Sequence, residues 1–158
     1  MKQILIILLI MCCLSTQAES PQSHEAKIIA LTLLGEARGE GEIGMYAVAC
    51  VIKQRSLDRN LSLLKVCLER KQFSCWNSKR NLDSLLKSTS APYAVGLANH
   101  LAGGGGVQRS YVKYANHYCT LKTKPYWAFK TVVKDGKKIK IPINPVKIIN
   151  NHKFFKIK

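Results

Sequence analysis

The sequence predicts a mainly α, α+β fold, built as a single domain with a small β-hairpin near the C-terminus. Two stretches in the first third of the chain carry apolar residues at helical spacing, which is typical of amphipathic helices that pack together. Near the C-terminus, the dipeptide Asp135-Gly136 lies between two short runs that contain apolar residues and lysines, a pattern that predicts a hairpin. A chain of 158 residues is long enough to bury one hydrophobic core.

Residues 1–18 have the pattern of a secretory signal peptide. Lys2 precedes an apolar run from Ile4 to Leu14, which is too short to cross a bilayer, and Thr16-Gln17-Ala18 ends in small residues. We therefore expect cleavage after Ala18, export to the periplasm, the cell wall or the medium, and a folded domain over residues 19–158. A lipoprotein processed at Cys12 or Cys13 and an uncleaved anchor are the alternatives.

The chain is strongly basic, with a formal net charge of +16. Such a charge favours polyanionic partners. For an exported protein these would be anionic wall polymers or a membrane surface, and we expect no specific nucleic acid partner. The alternative is a general lysine bias in composition, without a dedicated partner. Nothing in the sequence predicts self-association, so we expect a monomer.

The first two helices are the clearest predicted elements. Ser23 is suited to cap a helix over His24–Ala37, and Gly39 and Gly41 interrupt the pattern. Apolar residues at i, i+3, i+4 and i+7 then predict a second helix over 42–55. The turn between the two helices would fold them against each other.

The rest of the chain has shorter signals. We expect a short helix, an ordered loop, a third helix begun by Pro92, a flexible glycine loop, an extended segment and the two hairpin strands. The short helix covers 61–68, the ordered loop 71–77, the third helix 93–101, the glycine loop 103–106 and the extended segment 111–119. The hairpin strands cover 128–133 and 137–143.

Glu36 is the leading candidate for chemistry. Ile29, Leu33 and Glu36 follow each other at i, i+4 and i+7, so they share one face of the first helix. Loss of solvent disfavours the charged form of a carboxylate, and a neutral carboxylic acid is what general acid catalysis needs. The alternative is that Glu36 turns into solvent at the end of the helix.

Other catalytic classes lack their motifs. His24, His100, His117 and His152 form no His-Glu-x-x-His or comparable metal spacing, and no Gly-x-Ser-x-Gly elbow is present. The spacing of the histidines therefore predicts no metal site. Ordinary glycoside hydrolysis uses two carboxylates, but one acid suffices where the substrate supplies its own nucleophile.

Four cysteines follow the predicted signal peptide, an even number that suggests disulfides in an exported domain. Cys67 and Cys75 are close in sequence and form the first pair we expect. Cys50 with Cys119 would be the second.

Four segments together resemble the cell wall hydrolases of the spore cortex-lytic (SleB) type, in that family's order and over about residues 27–156. They are Gly35-Glu-Ala-Arg-Gly-Glu40 with Ala47 to Ile52 and Arg55; Val66-Cys67 with Gln72-Phe-Ser-Cys-Trp76; His117-Tyr118 with Pro125 and Trp127-Ala128; and Ile149 to Phe155. This chain departs from the family at Asn116, Cys119, Asn150 and Phe155, and the hairpin around Asp135-Gly136 looks like an insertion.

The resemblance implies a lysozyme-like, mostly helical fold that cuts the glycan strands of peptidoglycan. It implies no metal and no organic cofactor. It implies that Glu36 protonates the glycosidic oxygen, that Arg38 and Glu40 support it, and that a set of polar and aromatic residues contacts the glycan. That set is Gln72, Phe73, Ser74, Trp76, His117, Tyr118, Trp127 and His152. Core packing is the alternative role for Phe73, Trp76 and Trp127.

Two other functions stay open at this point. One is a zinc-dependent N-acetylmuramoyl-L-alanine amidase, which would cut the muramoyl–peptide bond. The other is a non-catalytic basic module that binds wall polymers or nucleic acid. Their products separate them: a lytic transglycosylase makes no reducing ends, an amidase releases peptide amines, and a binding module releases nothing.

Overall fold

A computed structural model describes residues 20–77 and 81–157, and the predicted signal peptide lies outside these residues. Within them the chain forms four α-helices and five β-strands. The helices are α1 His24–Ala37, α2 Gly41–Arg59, α3 Leu63–Leu68 and α4 Ala91–Ala102; the strands are β1 His117–Thr120, β2 Phe129–Lys134, β3 Lys137–Pro142, β4 Lys147–Ile149 and β5 His152–Phe155. The predicted α+β class with a hairpin near the C-terminus is confirmed.

Helix α1 begins and ends where the sequence predicts. The Ser23 side chain accepts a hydrogen bond from the backbone N–H of Ala26, and the α-helix ends at Ala37. A 3₁₀ turn over Arg38–Glu40 then redirects the chain into α2. Gly41, with φ of 68°, supplies the left-handed backbone conformation that starts the second helix.

Helix α2 runs four residues further than predicted, to Arg59. The extension holds a polar i, i+4 pair, since Gln54 Nε2 donates to Asp58 Oδ1 over 2.7 Å. Asn60 ends the helix in the left-handed conformation.

The core forms between helices. Helix α1 packs against α2, α3 and α4, and the largest buried side chains include Ile29, Leu33 and Phe73. A second cluster joins α2 to the sheet through Val51 and Phe154. Among the described residues, no helix is long and apolar enough to cross a membrane.

Two antiparallel sheets follow the helices. Strands β1, β5 and β4 pair in that order, with Tyr118 opposite Phe154, and β2 pairs with β3 as a separate hairpin. Asp135 and Gly136 both have positive φ at the hairpin turn, as the dipeptide predicts. The expected extended segment over 111–119 is wrong in its first part, because residues Arg109–Val112 form a 3₁₀ turn and β1 starts only at His117.

Candidate active site

Glu36 lies at the last turn of α1, where the apolar face of the helix reaches the surface. Ile29 and Leu33 on the same face are fully buried, and Glu36 is half-buried. The predicted stripe therefore ends in a carboxylate at the edge of the main core.

Three donors hold the Glu36 carboxylate. Ser74 Oγ and the backbone N–H of Cys75 both donate to Oε1 over 2.8 Å, and the Tyr118 hydroxyl donates to Oε2 over 2.8 Å. Two of these donors belong to the 3₁₀ turn Ser74–Asn77, and the third comes from strand β1. Two segments that are far from α1 in sequence therefore converge on one carboxylate. We call Glu36 with its donors Ser74, Cys75 and Tyr118 the Glu36 cage.

The cage can accommodate either protonation state of the acid. The Cys75 N–H is a fixed donor, but the hydroxyls of Ser74 and Tyr118 can donate or accept. Burial, and after it the Glu36 carboxylate, raise the pKa of Tyr118 well above its ordinary value, so its hydroxyl keeps its proton. When Glu36 is protonated on Oε2, it can therefore donate a hydrogen bond to the Tyr118 oxygen once the Tyr118 hydroxyl rotates.

Gly35 allows the 3₁₀ turn to approach the helix closely enough to complete the cage. A Cβ placed on Gly35 would lie 2.5 Å from Cys75 Cβ and 3.0 Å from Cys75 Sγ. Only a glycine at this position lets the Cys75 backbone come within hydrogen-bonding distance of the next residue, Glu36.

A buried guanidinium lies beneath the cage. Arg55 is 4% exposed; its Nε donates to Asn116 O over 2.7 Å, and its guanidinium carbon lies 5.0 Å from the centre of the Phe73 ring. Burial lowers the pKa of Arg55, whereas the nearby Glu36 carboxylate favours its charged form. The charge of Arg55 therefore contributes a positive potential at the cage.

Strand alternation divides the predicted contact residues into two groups. Tyr118 and His152 lie on the sheet face that meets Glu36, with their rings 5.3 Å apart. His117 lies on the opposite face, where its ring is 4.9 Å from that of Trp127. The structure therefore does not bring His117 and Trp127 to Glu36.

Two of the residues assigned to glycan contact are buried. Phe73 is 1% exposed and packs in the main core under Arg55, which fits the alternative role of core packing. His152 is 5% exposed, and within the described part of the chain its Nδ1 has no hydrogen-bond partner. Its ring edge supports Tyr118, which makes it a packing partner of the cage and not an open sugar contact.

Ser74 belongs to the cage, whereas the side chains of Gln72 and Trp76 bond to other residues. Ser74 is exposed and bonds to Glu36, and the Gln72 side-chain oxygen accepts a hydrogen bond from Arg59. Trp76 is half-buried, and its indole N–H donates to Thr32 Oγ1 over 2.9 Å, one helical turn before Glu36.

Arg38 and Glu40 bond elsewhere. The exposed Arg38 donates to the Leu34 carbonyl, and Glu40 accepts from the backbone N–H of Asn151 over 3.0 Å. Asn150, in the left-handed conformation, donates to the Glu40 carbonyl over 2.8 Å. Glu40 therefore ties the first interhelical turn to the β4–β5 turn, while the hydrogen bonds to Glu36 come from Ser74, Cys75 and Tyr118.

A cavity of about 400 Å³ adjoins the cage. The sequence predicts a glycan contact for Ser74 and other roles for Arg38 and Cys75. It gives no signal for the segment after residue 80, which forms a 3₁₀ turn without amphipathic periodicity. The lining residues are Gly35, Arg38, Ser74, Cys75, Asn81, Leu82, Ser84 and Leu85. The cavity reaches the cage through Ser74 and Cys75, and its wall carries polar groups that can bind a hydroxyl-rich ligand.

The expected disulfides are not formed. All four described cysteines are free thiols. Burial raises the pKa of Cys67 to about 12, and burial together with Glu36 raises the pKa of Cys75, so both thiols keep their protons at neutral pH in this structure. Cys50 and Cys119 pack in different hydrophobic clusters, on α2 and on the far side of the sheet, which separates the second expected pair.

His117 is held neutral over most of the physiological pH range. Burial, and to a smaller extent the charges of Arg55 and Arg59, lower its pKa to about 4. Its Nδ1 lies 2.9 Å from Asn116 Oδ1.

This shift predicts an acid-dependent loss of stability. In the unfolded chain, His117 binds a proton below its ordinary pKa of about 6.5, whereas in the folded chain it does so only near pH 4. The contribution of His117 to the free energy of unfolding is therefore fully present above about pH 6.5 and declines as the pH falls toward 4. Chemical denaturation from about pH 7 to 4.5 should therefore show a smaller loss for His117→Gln than for wild type. The exposed His24→Gln is the control, and an equal pH dependence in all three proteins would contradict the assignment.

One comparison with known proteins identifies the family. Over residues 39–143 the chain matches a family model described as Cell Wall Hydrolase. The matched span contains Arg55, the Ser74–Asn77 turn and Tyr118; Glu36 precedes it and β5 follows it. No curated protein and no solved structure matches the chain.

Within the described residues, no three His, Cys, Asp or Glu side chains are grouped as metal ligands.

Proposed function

Because this chain belongs to the Cell Wall Hydrolase family, we propose that it cleaves the glycan strands of peptidoglycan, with Glu36 as the general acid. The family supports a hydrolase that acts on the cell wall. The glycosidic bond and the role of Glu36 are the proposal. The observation that carries it is the Glu36 cage, which holds one carboxylate by three donors at the edge of a polar cavity of about 400 Å³.

The proposed reaction needs a single acid. Glu36 donates its proton to the oxygen that links N-acetylmuramic acid to N-acetylglucosamine, and the bond from that oxygen to the muramic anomeric carbon breaks. The muramic 6-hydroxyl then attacks the anomeric carbon and gives up its proton to the Glu36 carboxylate. The product is a 1,6-anhydro sugar, and Glu36 is again protonated. Attack by water instead of the 6-hydroxyl would give the muramidase product from the same acid.

The Glu36 cage suits both halves of this cycle. When Glu36 has lost its proton, the Cys75 N–H and the two hydroxyls stabilise the carboxylate, and the charge of Arg55 adds to their effect. The next carboxylate along the chain, Glu40, is engaged by Asn151, which favours the single-acid reaction over a two-carboxylate mechanism.

The finer family assignment is also a proposal. The order of the four resembling segments supports the spore cortex-lytic (SleB) type, and the packing of α1 against three other helices supports a lysozyme-like arrangement. We further propose a monomer that is exported by residues 1–18 and acts in the periplasm or cell wall.

The bond that is cut identifies the reaction class. Purified protein incubated with purified peptidoglycan should shorten the glycan strands and release no new free amines. Release of peptide amines with strands of unchanged length would overturn the proposal in favour of an amidase. Salt-dependent binding without any product would overturn it in favour of a binding module.

Tyr118→Phe should lower activity while the fold stays intact. The substitution removes the hydroxyl on Glu36 Oε2, but the ring can keep its contacts with His152 and Phe154. One hydrogen bond to a charged group contributes about 1.5–3 kcal/mol, so glycan cleavage should fall by roughly 10- to 100-fold. The exposed Tyr114→Phe is the matched control, and wild-type turnover by a folded Tyr118→Phe protein would remove Tyr118 from the site.

A further inference from the structure

The hairpin formed by β2 and β3 stands apart from the rest of the fold. Its strands pair with each other over six residue pairs, from Phe129–Pro142 to Lys134–Lys137, and form a sheet of their own. Only its base packs on the domain, where Phe129 lies in the cluster around Trp127 and Phe155. The part beyond the base therefore presents both of its faces to the surroundings.

The hairpin is strongly cationic. It carries five lysines, namely Lys130, Lys134, Lys137, Lys138 and Lys140, and one acid, Asp135, at the turn. All five are exposed. Because side chains alternate along a strand, the lysines occur on both faces, and an anionic surface can be met from either side.

Exposed apolar side chains occur between these lysines. Val133 is 68% exposed and Ile139 is 38% exposed, while Tyr126, just before the hairpin, is 88% exposed. Val133 and Ile139 offer no charge and no hydrogen bond to a hydrophilic polyanion such as a wall polymer. They gain free energy at the interface of a lipid bilayer, where lysines meet anionic headgroups at the same time.

A second cavity lies at the base of the hairpin. It measures about 310 Å³, has an apolar wall that includes Phe129, Pro142 and Phe155, and has Lys124 and Lys153 among its lining residues. Lys153 Nζ donates to the Leu121 and Thr123 carbonyls. Such a site suits an amphiphile with an apolar body and an anionic head.

This region is separate from the Glu36 cage. Lys153 and Phe155 alternate with His152 and Phe154 along β5, so the cavity is on the sheet face opposite to Tyr118. Binding at the hairpin would therefore leave Glu36 accessible.

From these observations we propose that the hairpin and the cavity at its base bind the surface of an anionic lipid bilayer. The lysines contact the headgroups, the exposed apolar side chains enter the interface, and the cavity receives an apolar part of a lipid. This function does not depend on the reaction proposed for Glu36.

Co-sedimentation with vesicles tests the charge requirement. The full chain should bind vesicles of phosphatidylcholine with phosphatidylglycerol more tightly than vesicles of phosphatidylcholine alone. A variant with Lys134→Gln, Lys137→Gln, Lys138→Gln and Lys140→Gln should lose at least tenfold in affinity, since each lysine near an anionic surface contributes on the order of fivefold. The matched control places the same four charge changes elsewhere, at the exposed Lys65, Lys71, Lys87 and Lys113, and should bind nearly as wild type.

A second pair of variants tests the apolar requirement. Tyr126→Ser, Val133→Ser and Ile139→Ser together should weaken vesicle binding several-fold, whereas Ile43→Ser, Leu57→Ser and Leu68→Ser, which change three exposed apolar residues on the helices, should not. All variants keep the same N-terminal residues, so any contribution from Ile4 to Leu14 is constant across the series. Circular dichroism verifies that each variant is folded.

Three results would overturn the proposal. The first is equal binding to neutral and anionic vesicles, and the second is equal loss in the hairpin variants and their controls. The third is an unchanged vesicle affinity of the apolar variant combined with strong binding of soluble polyphosphate, which would assign the lysines to a hydrophilic polyanion.

Discussion

Glu36→Gln is expected to remove nearly all glycan cleavage and to leave the fold intact. General acid catalysis contributes about 10²–10⁴-fold, or roughly 3–5 kcal/mol of activation free energy, and an amide cannot supply that proton. The amide oxygen can still accept from Ser74 and Cys75, and the amide nitrogen can donate to the Tyr118 hydroxyl. The free energy of unfolding should therefore change by no more than about 1 kcal/mol.

Glu42→Gln is the matched control for this substitution. Glu42 is exposed in the first turn of α2, and it lies six residues from Glu36. Turnover measured on purified peptidoglycan should be close to wild type in this variant. If Glu36→Gln is folded and equally active, Glu36 is not the acid, and the search for the catalytic group would turn to other residues.

Gly35→Ala is expected to reduce both stability and activity. In an open helical position this change would stabilise a helix by up to about 1 kcal/mol. Here the new Cβ would lie 2.5 Å from Cys75 Cβ, so the Ser74–Asn77 turn must move away from the helix. Forced displacement of packed groups costs typically about 1–3 kcal/mol, and it withdraws two of the three donors from Glu36. We expect at least a tenfold loss of glycan cleavage.

Substitutions of Cys75 test the cause of this effect. Cys75→Gly removes both atoms nearest to the added Cβ and should restore much of the stability and activity of Gly35→Ala. Cys75→Ala keeps its own Cβ and should restore little. Denaturation and turnover of the two double variants separate these outcomes, and a Gly35→Ala protein that is more stable and fully active would refute the close approach.

The helical part of the fold could be predicted because its signals are local. Ser23, the apolar spacing that follows it and the glycines at 39 and 41 give the bounds of α1 and the break after it. Asp135-Gly136 gives the hairpin for the same reason. Apolar periodicity predicts too early an end for α2, because its last turn depends on the Gln54–Asp58 pair and the Asn60 cap.

The three-stranded sheet could not be predicted from local pattern. Its strands are three or four residues long, and β1 pairs with β5 more than thirty residues later in the chain. Such pairing depends on contacts that no short window of sequence contains. Once β1 is placed, alternation separates the neighbours His117 and Tyr118 onto opposite faces.

The candidate acid could be predicted, but most of its surroundings could not. Glu36 stands out because of the apolar stripe before it. One donor in its cage is the backbone N–H of Cys75, a group that every residue except proline has, and the other two depend on tertiary packing. The aromatic residue expected beside it, Phe73, is buried instead, because its ring supports the Arg55 guanidinium within the core.

Mass spectrometry of digested peptidoglycan tests the central claim most directly. Purified wild-type protein and Glu36→Gln would be incubated with peptidoglycan in ¹⁸O-labelled water, and the released fragments would be compared. We expect new muramic ends from the wild type and none above background from Glu36→Gln. These ends should be 1,6-anhydro sugars without label, or labelled reducing ends if water is the nucleophile. Fragments cut at the muramoyl–peptide bond, or new muramic ends in equal amounts from both proteins, would contradict the central claim.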